Sequence, residues 1–282
     1  MGDIKSAFEI AMEKAEKLDA NLEAVSQFLG ELRRVVLSQR PILNATSEGS
    51  TLSQAESELV SLPPYISGNM NEFPGGKEVS ALSESKIESL VATSPVGYVA
   101  HAVPAANAGT PESAVESVLA HLLSTGLLWE KIRMKGGAYG ASAVSRSLDG
   151  VFTFSTYRDP NILESFNAFK EALTEVTDSS PSEQDVKGAI IGTVGREVHP
   201  MNPGVKGFIQ LSRTLFGIDD EVRQMRRDVI LSTTGKNLAE AAARLLDAYK
   251  SGASVALAGK KAIQKAGSRM PFLSQNVLEL PN

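Results

Sequence analysis

Between Leu127 and Val144 the sequence reads LLWEKIRMKGGAYGASAV, which sets Arg133 and Tyr139 on either side of the pair Gly136 and Gly137. A guanidinium carries a planar fork of donors that suits a peptide carbonyl or a carboxylate. A phenol can donate a hydrogen bond to an oxygen that becomes negative during acyl transfer, and losing one such donor typically costs about 10²–10³ in rate. Together they can hold an acyl substrate and assist at its carbonyl. No neighbouring residues supply the rest of a hydrolytic reaction.

Each group also has a plainer reading by residue type alone. Tyr139 can be an aromatic filling a sheet face, and Arg133 a surface arginine favoured by a helix C-terminus. The glycine pair is a poor phosphate loop, because the chain has no Gly-x-Gly-x-x-Gly and no Gly-Lys-Ser/Thr. His199 sits in turn-like sequence and has no serine and acid at spacings that would make it a general base. Trp129, Glu130 and Lys131 read as packing and solvated-face residues of a helix end.

Upstream of these residues, Thr110-Pro111-Glu112 opens a helix, with threonine as N-cap and proline in the first turn. Its apolar stripe is Val115, Val118, Leu119, Leu122 and Leu123. Lys135-Gly136-Gly137 ends this helical region, since glycine reaches the left-handed conformation of a C-terminal cap. Tyr139 then begins a strand to Ser145, on the same face as the small residues Ala141 and Ala143. A second strand, Val151 to Tyr157, pairs with it as a hairpin through Ser147-Leu148-Asp149-Gly150.

Helical periodicity marks Asp3 to Leu37 as one bent helix or two, and Leu52 to Leu62 as another, with a short apolar run at Ile42 to Ala45 between them. Pro63 to Lys77 has linker composition, and a domain boundary is expected between Leu62 and Ser94. A strand follows from Val96 toward Val103. Asp159-Pro160-Asn161 starts a helix, and Ser180-Pro181-Ser182-Glu183 is read as a capping box for the next. Further helices are expected at about 205–216, 219–231 and 237–250, then a strand at 253–258 and a helix about Ala262. The order of elements over 22–62 returns weakly over 237–266.

The chain has 282 residues, 42% of them hydrophobic, enough for one large core or two modest ones. Its 28 basic and 33 acidic residues give a net charge of -5 without any Lys/Arg-rich run, so no nucleic-acid partner is expected. There is no cysteine, hence no disulfide or thiolate metal site. His101, His121 and His199 stand far apart and fit no ligand spacing, so no metal site is expected. No apolar run approaches the roughly 18 residues that span a bilayer, so no membrane partner is expected either, and MGDIKSAFEI lacks the regions of a signal peptide.

The segments LLWEKIRMKGGAYGA, DGVFTFSTYRDPN, DVKGAIIGTVG and PGVKGFIQLSRTLFGIDDEVRQMRRDVILST occur in that order over Leu127 to Thr233. On them, the chain closely resembles the C-terminal part of the presequence-protease branch of the insulinase/pitrilysin zinc peptidases. The resemblance implies an α+β fold, a two-layer α/β sandwich with a mainly antiparallel sheet and helices packed on one face, preceded by part of a related domain. In that family four such domains form two halves that close around a peptide. Residues 1–62 would then be the end of the third domain, 63–94 a linker and 95–282 the fourth domain.

The resemblance implies that Arg133 grips the substrate backbone, that Tyr139 assists at the scissile carbonyl oxygen, and that Gly136 and Gly137 border the bound peptide. It also implies a zinc ion held outside this chain, by an inverted His-x-x-Glu-His motif that the sequence lacks. The expected partners are unfolded peptides and the N-terminal catalytic half of the same polypeptide, and the fragment alone is expected to be inactive. The alternative is a non-catalytic peptide-binding or assembly subunit. Cytoplasm is the default location, with an organellar matrix as the alternative.

Overall fold

A computed structural model describes residues 18–38, 42–60, 87–198, 200–274 and 277–280. The chain divides into two compact units, Met1–Leu82 with Pro203–Phe208, and Ser83–Asn202 with Ile209–Asn282. His199, the start of the first expected helix and most of the expected linker lie outside the described residues.

In the first unit, helix α1 spans Leu18–Ser38 and α2 spans Gly49–Val60. Leu22, Phe28, Leu29 and Leu32 recur at helical spacing along α1, and all are exposed. The run Ile42 to Ala45 forms no strand, and Ile42 and Leu43 face solvent. Alternating β-branched composition is absent there, and among the described residues no neighbouring strand supplies ladder bonds. The expected echo of 237–266 is therefore limited to its helices.

The second unit is built on a six-stranded sheet of order β3-β4-β2-β5-β1-β6. Its strands are β1 (Ile87–Val91), β2 (Tyr98–Pro104), β3 (Gly140–Arg146), β4 (Val151–Tyr157), β5 (Ala253–Ala258) and β6 (Val277–Glu279). β3, β4, β2 and β5 pair antiparallel, whereas β1 runs parallel to both β5 and β6. The sheet is mixed, and the α+β expectation holds. Ile87–Val91, assigned to the linker on sequence, is a strand inside the sheet, with Ser89 fully buried. Its short polar-flanked run gave no alternation, and its place depends on β5, far along the chain.

The helices of this unit are α3 (Pro111–Thr125), α4 (Ile162–Asp178), α5 (Glu183–Glu197), α6 (Pro203–Leu215, its first residues grouped with the first unit), α7 (Asp220–Ser232), α8 (Gly235–Ala248) and α9 (Lys260–Gly267). Local sequence sets their starts. Thr110 Oγ1 accepts from Ser113 N at 3.3 Å, with Pro111 in the first turn. The expected capping box at Ser180–Glu183 is shifted: Ser182 is the N-cap and accepts from Asp185 N. A true reciprocal box forms between Thr234 and Asn237 at the start of α8.

Strand alternation divides the sheet into two faces. Val99, His101 and Val103 on β2, and Phe152, Phe154 and Thr156 on β4, are buried beneath the helices. Phe154 stacks on Phe169 of α4, with centroids 5.2 Å apart, and fully burying a ring of this size is worth about 1.5–3 kcal/mol. Alternate residues, among them Tyr98, Ala100, Ala102, Ser155 and Tyr157, line a more open face. At the β3 edge, the Ser124 hydroxyl of α3 accepts from Ala143 N at 2.8 Å, which satisfies a donor that would otherwise invite another strand.

Candidate functional site

The segment that carries Arg133 departs from α-helix geometry. Trp129–Met134 forms a π-helical turn, closed by Lys135 N donating to Glu130 O at 3.0 Å. Leu128 and Ile132 are buried and anchor the turn to the core. Arg133 and Met134 are therefore left facing solvent. Such single π turns recur at functional sites because they shift the direction of the side chains that follow.

Two glycines end the turn for separate steric reasons. A Cβ on Gly136 would lie 2.6 Å from Ile132 O, and Gly137 has φ of 77°, where an L side chain is strained. Gly137 N then donates to Arg133 O at 3.1 Å and Ala138 N to Ile132 O at 3.1 Å, which satisfies carbonyls at the helix end. Gly136 O accepts from Asn161 Nδ2 at 2.7 Å. The glycine pair thus reverses the chain tightly between Arg133 and Tyr139.

Tyr139 does not begin the strand. β3 starts at Gly140, and Tyr139 N donates to both Tyr157 O at 3.1 Å and Arg158 O at 3.4 Å. Two residues of one chain segment face one of the other, as in a bulge, so the alternation that would align Tyr139 with Ala141 and Ala143 is broken. Arg158 takes the left-handed conformation, with φ of 51°. The Tyr139 ring leans edge-on against Tyr157, and Tyr157 edge-on against Tyr98, with centroids 5.8 and 5.5 Å apart. Tyr139 is 68% exposed, which removes its reading as a core aromatic.

The charges around Arg133 are not equivalent. Lys131 bridges Glu171 and Glu175 of α4 at 3.3 and 3.2 Å, and Lys135 pairs with Glu130. These neighbours raise the Lys131 pKa against the opposing effect of burial. Arg133 makes no ion pair or side-chain hydrogen bond among the described residues, so its guanidinium is available to a ligand. Its exposure fits both sequence readings.

Four of the sequence-selected residues, Arg133, Gly136, Gly137 and Tyr139, fall within one turn at one end of the sheet. Tyr98, Tyr157 and Arg158 join this end and were not singled out from sequence. Alternation along β2 and β4 placed both tyrosines on the open face, but only the register of β2 with β4 brings them together. His101 is elsewhere: it is buried under the helices, with Nδ1 2.8 Å from Ser254 Oγ and its ring 4.0 Å from that of Tyr249. Among the described residues no group of three or more His, Cys, Asp or Glu side chains is placed to hold a metal ion.

A model of the PreP C-terminal domain family matches residues 87–260. The chain is 30% identical over 258 residues to presequence protease 1, chloroplastic/mitochondrial, of Arabidopsis thaliana, covering 90% of this chain and 23% of that protein. It is 29% identical over 223 residues to the mitochondrial presequence protease of Xenopus laevis, covering 75% and 21%. The chain therefore spans under a quarter of the length of these two relatives. In fold it is similar to the crystal structure of a peptidase M16 inactive domain from Pseudomonas fluorescens, with a TM-score of 0.51 at 15% identity over 62% of this chain and 43% of that one.

Proposed function

The chain belongs to the PreP C-terminal domain family, and on that premise we propose that it is the C-terminal portion of a zinc metalloendopeptidase that degrades unfolded peptides in a closed chamber. In this reading residues 1–62 end a third domain and the second unit is the fourth. Its contribution is substrate clamping and oxyanion assistance. The observation that carries this is the joint exposure of Arg133 and Tyr139 about a glycine-locked turn, with no protein partner on the Arg133 guanidinium among the described residues.

The zinc ligands of the complete enzyme would come from outside this chain, whose described residues offer no cluster of His, Cys, Asp or Glu for a metal ion. Arg133 would hold a carbonyl of the peptide backbone with its fork of donors. The Tyr139 hydroxyl would donate to the scissile carbonyl oxygen as negative charge develops on it. Edge-to-face contact with Tyr157 limits how far the Tyr139 ring can swing, so less ordering is needed when substrate arrives. The organelles named for the two relatives make a mitochondrial or chloroplast matrix the compartment to examine first.

The test combines this chain with the N-terminal half encoded in the same gene and measures zinc-dependent cleavage of an unfolded peptide. Restored cleavage that is lost with a chelator supports the reading. A coding sequence without an inverted zinc motif upstream or in a neighbouring gene would replace it with a non-catalytic peptide-binding or assembly subunit.

A further inference from the structure

Asn161 is the N-cap of α4, yet its side chain makes no capping bond to that helix. Asparagine at this position ordinarily accepts from an amide in the first helical turn, and forgoing that bond leaves a donor without its usual partner. Here the Asn161 amide is committed elsewhere: Nδ2 donates to Gly136 O at 2.7 Å, across 25 residues of sequence. The carbonyl it holds belongs to the glycine pair between Arg133 and Tyr139.

Asn161 is itself held. Its main-chain N donates to Asp159 Oδ1 at 2.8 Å, and Asp159 is 1% exposed. The Asp159 main chain is tied to Gly97 by two bonds, Gly97 N to Asp159 O at 2.6 Å and Asp159 N to Gly97 O at 2.7 Å. Gly97 has to be glycine for this approach, since a Cβ there would overlap Ile162 and lie 3.2 Å from Asp159 O. One residue earlier, the left-handed Arg158 presents its carbonyl to Tyr139 N.

We propose that Asn161 is a positioning residue, and that Asp159 and Asn161 form a brace fixing the turn that carries Arg133 and Tyr139 against the end of β4. This rests on the catalytic role proposed above for those two side chains. The Asn161 bond grips the turn at Gly136, and the Tyr157 and Arg158 carbonyls grip it at Tyr139. Removing the first leaves the glycine pair without its bond to the segment that follows β4. A misplacement of about 1 Å in a catalytic group can cost on the order of 10²-fold in rate.

Two measurements test the brace, one of them independent of catalysis. In Asn161→Ala, amide hydrogen exchange at Gly137 to Tyr139 should accelerate by about tenfold or more, because a hydrogen bond that holds the closed turn is gone. Exchange within α4 should stay unchanged beyond its first turn. Unchanged exchange at the turn overturns the brace whatever the enzyme does.

The second uses the complete polypeptide, with both halves present. Asn161→Ala should lower kcat by about 10- to 100-fold with little change in KM. The loss should largely vanish when the substitution is made on top of Tyr139→Phe, since a positioning residue acts through the group it positions. Additive losses in the double variant would mean that Asn161 merely supports the fold. If Tyr139→Phe by itself leaves turnover intact while Asn161→Ala still loosens the turn, the catalytic reading fails and the brace stands.

Discussion

The ring of Tyr139 meets that of Tyr157 edge-on, with centroids 5.8 Å apart and planes 70° to each other, although sequence alternation assigned Tyr139 to the opposite face. This contact leaves the Tyr139 hydroxyl end open, and the residue is 68% exposed. In the complete polypeptide, Tyr139→Phe keeps the edge contact and removes only the donor. Turnover should fall by about 10²–10³ with KM nearly constant. Steady-state cleavage of an unfolded peptide reads this out, and unaltered kcat would withdraw the oxyanion role.

The glycine pair should respond as backbone, not as side chain. Gly137→Ala places a Cβ at φ of 77° and should cost about 1–3 kcal/mol in urea unfolding of the chain. Gly136→Ala should destabilise for another reason, the 2.6 Å approach to Ile132 O, which only movement of the π turn can relieve. Equal stability of either variant and the parent chain would mean that the turn adopts another path.

Glu116 gives one part of the acid response. Burial is the largest effect and raises its pKa, while the Ala106 amide and Arg244 oppose that rise and Glu112 adds to it. With the folded pKa above the unfolded one, the native chain binds the extra proton, so this group's contribution falls as pH climbs above about 4.3. The stability of Glu116→Gln relative to the parent should therefore be more favourable at pH 7 than at pH 4. A difference independent of pH, by urea titration at both, would contradict the assignment.

His101 works in the other direction. Burial lowers its pKa, opposed in part by its contact with the Tyr249 main chain, and His121 is lowered too by burial and by Arg196. A histidine with a depressed folded pKa stabilises fully above its unfolded value, about 6.5, and that stability is lost as pH falls below it. His101→Gln should flatten the decline in unfolding free energy between pH 7.5 and 5.5. A slope as steep as that of the parent would assign the decline to other groups.

Core packing sets the scale for these effects. Phe154 is fully buried, and the rings of Phe152 and Phe169 each have their centroid 5.2 Å from its own. Phe154→Ala should cost about 3–5 kcal/mol, measured by chemical denaturation. A smaller loss would indicate that α4 collapses onto the vacated space.

Much of the scaffold was legible because its signals are local. Thr110 and Pro111 start α3 where expected, the turn before Gly150 makes the β3–β4 hairpin, and Ala253–Ala258 is a strand at the expected residues. Caps, proline and glycine act within a few residues of themselves, and so can be read in order along the chain. The pair Gly136 and Gly137 belongs to this class. β1 does not, because Ile87–Val91 becomes a strand only by lying between β5 and β6, encoded more than 150 residues later.

The same division runs through the site. The sequence by itself determined the two chemical groups, Arg133 and Tyr139, and the glycine turn between them. Only the tertiary structure decided their surroundings: Glu171 and Glu175 on α4 occupy Lys131 but leave Arg133 open, and the Tyr157 and Arg158 carbonyls turn the Tyr139 ring onto the tyrosine row. Asn161 likewise reaches Gly136 across 25 residues. Side-chain chemistry travels with the residue, whereas exposure, charge neighbours and direction depend on which distant segments the core brings alongside.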